Sequence, residues 1–174
     1  MPYSAIAVAN YFIDKSKKLT NMRLQKMVFF CHARWLKEQG RPLITEPVVA
    51  WPHGPVIPVL YDALKHYGSG PVTSRIGLAR NCEDSLFGGW DILIPVIPED
   101  ATQVRELLDW FYNSTKDTET WRLRAFSHAE GGSWQRTLRE RGIDPDDIPW
   151  RTARPGLHHP APSLQVATAT NCNR

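Results

Sequence analysis

Fourteen prolines among 174 residues set the tightest limit on how this chain folds. Proline has no backbone N–H and its ring collides with the preceding turn, so a helix interior tolerates it poorly. Pro42, Pro47, Pro52, Pro55, Pro58, Pro71, Pro95 and Pro98 all fall between stretches whose apolar residues repeat at helical spacing. The prolines therefore mark joints, and the stretches between them read as helices. The expected fold is mainly α, a compact single-domain helical bundle of about six helices. A short β element is expected around residues 43–51 and a second around 90–96.

Residues 4–16 carry Ile6, Ala9 and Ile13 on one stripe with Val8, Tyr11 and Phe12 beside it, and Ser4 is placed to cap the first turn. The next helix starts after Thr20 as N-cap. In it Leu24, Val28, Cys31 and Trp35 repeat at helical intervals, Met27 and Phe30 widen the stripe, and Gly40 supplies the stop. So wide an apolar face belongs to a central helix packed on more than one side. Leu43-Ile44 and Val48-Val49-Ala50-Trp51, interrupted by Pro47, read as two short extended segments at an edge. Pro52-His53-Gly54-Pro55 then forces a fixed, largely non-helical path. Pro58 suits the first turn of a helix that buries Ile57, Leu60, Tyr61 and Leu64, reaches Tyr67 and stops at Gly68.

Ser74 to Gly89 has little periodicity and reads as a loop, while Trp90 to Val96 reads as a strand. A long loop inside a small domain is uncommon and often functional. After Glu99-Asp100, whose acids suit a helix N-terminus, Val104, Leu107, Leu108 and Phe111 restore the helical period. A break at Asn113-Ser114 precedes a helix with Trp121, Leu123, Ala125 and Phe126. Ser133 is placed to cap a last short helix carrying Trp134 and Leu138. Residues 1–142 are expected to form the domain, and 143–174 a Pro-rich tail that is flexible or ordered only by contacts.

An apolar fraction of 42% and a charged fraction of 22% suit a globular protein with a core. Residues 1–70 carry nine Lys/Arg against four Asp/Glu, and residues 71–174 twelve against fourteen. That modest asymmetry does not choose among protein, nucleic acid and membrane surface. Cys31, Cys82 and Cys172 are scattered and odd in number, which fits a reducing compartment and neither a disulfide framework nor a zinc site. The start has no basic flank followed by an apolar stretch, and no apolar run approaches membrane-spanning length. The expected location is the cytoplasm, with no membrane partner.

His128-Ala129-Glu130 has the H-x-E form of a nucleobase deaminase, but the P-C-x-x-C that completes such a zinc site does not follow. His32, His53, His66 and His128 contain no pair spaced to hold a metal on one helix face. Gly-x-Ser-x-Gly, the phosphate loop and the dinucleotide fingerprint are missing from the sequence. The expectation is a non-enzymatic protein with no catalytic residue, no metal and no cofactor. Cys31 on the apolar stripe reads as core. The His53 ring is expected to pack on its neighbours and bond a carbonyl that the prolines leave over. Arg136, Arg139 and Arg141, with Arg151 and Arg154, are interleaved with Glu140, Asp144, Asp146 and Asp147, which argues against nucleic acid as partner.

Three segments together resemble the Panacea domain family of SocA-like and phage-associated GepA-like antitoxins. Ala9-Asn10-Tyr11-Phe12 with Leu24-Gln25-Lys26-Met27-Val28-Phe29-Phe30 is similar to its A-x-Y-F and L-Q-K-L-L-Y-Y pattern. Trp51-Pro52-His53-Gly54-Pro55-Val56-Ile57-Pro58-Val59-Leu60-Tyr61 resembles W-x-x-G-P-V-x-P-x-x-Y. Phe126-Ser127-His128-Ala129-Glu130-Gly131-Gly132-Ser133-Trp134 is close to L-T-H-x-E-x-P-W, with Ser for Thr and no Pro before the Trp. Order and spacing agree over residues 4–141, and the departures lie at 74–90 and 142–174.

The resemblance implies an antitoxin of a toxin–antitoxin system. Its partner would be a cognate toxin encoded nearby and neutralised by direct protein–protein binding. A proteolytic adaptor delivering the toxin to a protease and a DNA-binding autorepressor are the alternatives, and homo-oligomerisation stays open. Aromatic side chains carry much of the energy of protein interfaces. Trp90, Trp110 and Trp121 are therefore the candidate partner contacts, with Arg80 and Phe87 from the departing stretch. Trp35, Trp51 and Trp134 are expected in the core. Gln25, Lys26, Trp51, His53, Tyr61, His128 and Trp134, all from the matched segments, are expected to form a polar cluster that ties the central helix to the Pro/Gly turn, in a structural role.

Overall fold

The computed structural model describes residues 1–82 and 89–142. The chain runs through α1 (Ala5–Lys15), α2 (Asn21–Gln39), β1 (Val49–Trp51), β2 (Gly54–Val56) and α3 (Pro58–Leu64), which ends in a single 3-10 turn. It continues through β3 (Leu78–Cys82), β4 (Gly89–Leu93), α4 (Thr102–Thr115), α5 (Thr120–Ser127) and α6 (Ser133–Glu140). β1 pairs with β2 and β3 with β4, each pair antiparallel. The described residues are mainly α and compact, as expected. The tail at 143–174 and Phe87 lie outside the described residues.

The first two helices begin where side chains satisfy their free backbone amides and end on backbone caps. Ser4 Oγ accepts the Ile6 amide at 3.1 Å, and Thr20 Oγ1 accepts the Arg23 amide at 3.3 Å. Gly40 closes α2 at φ 65°, a left-handed conformation that glycine adopts without a Cβ penalty. Every residue of α1 from Ala5 to Ile13 is buried, so this helix is enclosed on all sides. α2 touches α1, α3, α4, α5 and β2, which makes it the central helix its broad stripe predicts. Leu24, Met27, Val28 and Cys31 are fully enclosed there. Burial of a Leu or Met side chain is worth about 1.5–3 kcal/mol. Burial also pushes the Cys31 thiol up, so it behaves as an apolar core group. Among the described residues no helix is long and apolar enough to cross a membrane.

Two buried polar side chains join distant parts of this core. The Arg23 guanidinium on α2 donates to the carbonyls of Thr115 and Thr118, binding the end of α4 and the approach to α5. Asn10 on α1 has no exposed surface, and its amide Nδ2 donates to the Ile76 and Pro95 carbonyls at 3.0 and 2.9 Å. Its Oδ1 accepts the Ile76 amide at 2.8 Å. One side chain thus pins both roots of the β3–β4 ribbon.

Several local expectations change. Residues 74–89 are not all loop, because Leu78–Cys82 pairs with Gly89–Leu93, Leu78 standing opposite Leu93 and Arg80 opposite Asp91. The strand expected at 90–96 is β4, which stops at Leu93. In the 43–51 stretch only Val49–Trp51 is a strand, and its partner is Gly54–Val56 from the Pro/Gly segment. Leu43 and Ile44 instead donate their amides to His32 Nδ1, with Ile44 making an isolated bridge to Tyr3. α4 passes through Asn113-Ser114 without a break, since Arg23 satisfies the carbonyl of Thr115 beyond it. Ser133 is the first residue of α6 rather than its cap, a position taken by Gly132.

Candidate functional site

The Pro/Gly segment folds as a hairpin in which Trp51 stands opposite Gly54. Gly54 has φ 108°, and a Cβ there would lie 2.6 Å from Lys26 Nζ and 2.9 Å from His128 Nε2. The backbone at this point therefore needs glycine twice, for its dihedral and for its closeness to two side chains.

Pro52, Pro55 and Pro58 supply carbonyls but no amides, and adjacent residues of α2 take up that imbalance. Lys26 is only 2% exposed, and its Nζ donates to the Pro55 carbonyl at 2.9 Å and the His53 carbonyl at 3.4 Å. Gln25 matches Ile57 as another peptide group would, its Oε1 accepting the Ile57 amide at 2.9 Å and its Nε2 donating to the Ile57 carbonyl at 3.3 Å. Among the described residues no carboxylate forms an ion pair with Lys26. Burial, and then the Arg124 guanidinium nearby, pull the Lys26 ammonium down to about 8. It therefore stays largely charged at neutral pH, held by carbonyl dipoles.

His128 closes the node from α5. Its Nδ1 lies 2.6 Å from the Arg124 carbonyl, and a carbonyl only accepts, so Nδ1 carries the proton of the neutral ring. The ring stands edge-on to Trp134 at 4.4 Å. Burial above all holds the ring down to about 4; the bond to the Arg124 carbonyl raises it, while the charges of Lys26 and Arg124 depress it further. Trp134 Nε1 donates to the Trp51 carbonyl at 2.9 Å, and Trp51 meets Tyr61 edge-on at 5.0 Å. α2, the β1–β2 hairpin, α5 and α6 thus converge on Gly54.

This node predicts an acid response. The folded chain holds His128 neutral to about pH 4, whereas the unfolded chain protonates near the ordinary value of 6.5. Between those values the unfolded state binds more protons, so stability falls as pH drops from about 6.5 to about 4. With allowance for the ring's partial access to water, His128 accounts for on the order of 2 kcal/mol of that loss. Denaturation midpoints of wild type and His128→Gln across this range should converge at low pH. Parallel curves would show that the ring is not the titrating group.

The structure brings Gln25, Lys26, Trp51, His128 and Trp134 together and places the other two differently. His53 is exposed, and its carbonyl rather than its ring is what the node uses. Tyr61 enters through its ring against Trp51. Trp51 is half-buried, not buried, because the hairpin lies at the surface; Trp35 and Trp134 are buried as expected. Beside the node a groove of about 760 Å³ runs between α2, residues 42–50 and α6, with Phe29, Leu36, Val48 and Trp134 in its walls.

The candidate partner contacts do not form one cluster with it. Trp121 on α5 is 62% exposed, and Phe126 on the same helix is 65% exposed. Trp110 on α4 is also exposed, with the Arg34 guanidinium over its ring at 3.7 Å. Arg80 is exposed on β3. Trp90 stands in β4 opposite Asn81 in register, while its side chain and Phe87 lie outside the described residues. Sequence reasoning missed Asn10, Gly54 as the point of convergence, and the exposed aliphatics of the ribbon.

Residues 24–135 match the family described as Antitoxin SocA-like, Panacea domain. The chain is 32% identical over 134 residues to Antitoxin SocA of Caulobacter vibrioides (strain NA1000 / CB15N), an alignment covering 75% of this chain and 68% of that protein. No solved structure matches. The matched stretch holds Gln25, Lys26, Trp51, Gly54, Tyr61, His128 and Trp134, and with them the node. On these grounds the chain belongs to the SocA-like antitoxin family with a Panacea domain.

Proposed function

We propose that this chain is an antitoxin that neutralises a cognate toxin, encoded nearby, by binding it directly. Membership of the SocA-like antitoxin family along residues 24–135 carries the proposal. Exposed Trp110, Trp121 and Phe126 support binding as the mode of action, because aromatic side chains are costly to leave in water and rewarding to bury against a partner. The groups at the Gly54 node are turned to main-chain atoms, which supports a scaffold role for Gln25, Lys26, His128 and Trp134 and a non-enzymatic protein. Residues 1–142 form the antitoxin domain, and 143–174 its Pro-rich tail.

The test is co-expression with the polypeptide encoded by the adjacent reading frame. Growth should be restored and the two proteins should purify as one complex at unchanged toxin half-life. A half-life that shortens in step with rescue would identify a proteolytic adaptor instead. Rescue that tracks promoter occupancy would identify an autorepressor. Neither rescue nor a complex would remove the proposal.

A further inference from the structure

β3 and β4 form a ribbon that packs on itself rather than on the helices. Its root is fixed by Asn10 and by Arg75, whose guanidinium pairs with both carboxylate oxygens of Asp14 at 2.7 Å. Beyond the root Leu78, Ile92, Leu93 and Ile94 are all exposed, Ile92 by 69%. Leu78 and Leu93 share one face of the ribbon and Ile92 and Ile94 the other. A two-stranded ribbon without a covering layer is marginal in water, and exposed aliphatics on such a ribbon suit an interaction surface.

The two free edges differ. On β4 the Ile92 amide donates to the neighbouring Asp91 carboxylate at 2.7 Å. A charged group seated on an edge amide is a way of guarding a strand against addition of another. β3 has no such guard among the described residues. Arg80 sits at its centre, exposed, and makes no ion pair among the described residues although Asp91 stands opposite it in register, turned to the Ile92 amide. Among the described residues the edge is therefore open, and the cation at its centre makes no ion pair.

We infer that the β3 edge receives an extended segment of the toxin as a third strand, with a carboxylate beside Arg80 and an apolar side chain two residues away beside Leu78. This rests on the antitoxin reading and names its contact surface. Strand addition supplies main-chain hydrogen bonds, and alternate side chains supply the choice of partner. The spacing of two residues follows because Leu78 and Arg80 share one face of the strand. A second copy of this chain does not fit the edge. Antiparallel pairing of β3 with itself about Arg80 would set two guanidinium groups face to face, which is repulsive. A single cation with a carboxylate opposite it in register does not make a track for nucleic-acid phosphates either.

The experiment uses the full chain and the polypeptide encoded by the adjacent reading frame. Wild type and Arg80→Glu are compared for affinity, thermal midpoint and growth rescue. Backbone hydrogen exchange is followed in the wild-type complex. Arg80→Glu should weaken binding by about 10- to 100-fold without moving the thermal midpoint, since it alters an exposed side chain. In the wild-type complex the amides of Leu78–Cys82 should exchange more slowly than in the free protein. Retained affinity in Arg80→Glu, or unchanged exchange along β3, overturns the inference, and wild-type rescue in that case leaves the antitoxin reading standing. Failure of the wild type to bind and to rescue overturns both. The exchange measurement needs no variant, so it decides the matter even if Arg80→Glu folds poorly.

Discussion

Gly54→Ala is expected to destabilise the protein by about 3–5 kcal/mol, from three additive sources. A φ of 108° is hostile to any residue with a Cβ. The added methyl would also stand 2.6 Å from Lys26 Nζ and 2.9 Å from His128 Nε2. Lysine is flexible in general, but this one is buried and tied to the Pro55 and His53 carbonyls, so moving it strands those acceptors. The His128 ring is held between the Arg124 carbonyl and Trp134. Gly40→Ala makes the control, since Gly40 also has positive φ (65°) but nothing lies within 4 Å of its added Cβ. That change should cost about 1 kcal/mol from the backbone alone. Urea denaturation of the two variants separates dihedral strain from crowding. Equal losses at Gly40 and Gly54 would mean that the node yields and that its close packing is not what fixes the hairpin.

What the sequence makes legible here is whatever acts within a turn or two. Ser4, Thr20 and Gly40 mark helix ends because a cap and its target are a few residues apart. Val104, Leu107, Leu108 and Phe111 identify α4 because its period is local, and all four are buried. The polar node was recognisable only through the resemblance, since Lys26 and His128 stand about a hundred positions apart and no spacing joins them. β3 was hidden for a different reason. Leu-Ala-Arg-Asn-Cys does not alternate, and Leu78, Ala79 and Arg80 with Asp91, Ile92 and Leu93 across from them are all exposed, so no buried side imposes a period of two on them. The continuity of α4 through Asn113-Ser114 depends on Arg23, more than ninety residues away, so propensity alone misplaces its end. Phe126 misleads in the opposite sense, as a large aromatic that faces water.

Asn10→Ala should cost a similar amount, about 3–5 kcal/mol, and should reach the proposed partner surface without touching it. Truncation leaves the Ile76 amide and the carbonyls of Ile76 and Pro95 without the side chain that serves all three. Asn10 has no exposed surface, so water does not replace that side chain without opening the core. An unsatisfied buried donor or acceptor costs about 1–3 kcal/mol, and three do so together here. Asn10→Asp separates shape from hydrogen bonding, because a carboxylate keeps the acceptor for Ile76 but turns two donor contacts into repulsion with carbonyls. The core should hold such an aspartate partly protonated, with its folded value raised above the unfolded one. Its residual stability is then greatest in acid and is lost as pH rises, opposite in sign to the His128 effect. Since Asn10 fixes both roots of the ribbon, loss of its bonds should speed amide exchange across Leu78–Cys82 and Gly89–Leu93 while β1 and β2 stay protected. Toxin affinity should fall with it, although Asn10 lies inside the core. If exchange in the ribbon is unchanged in Asn10→Ala, the orientation of β3 is set by Arg75 and Asp14 at the surface rather than by the buried amide.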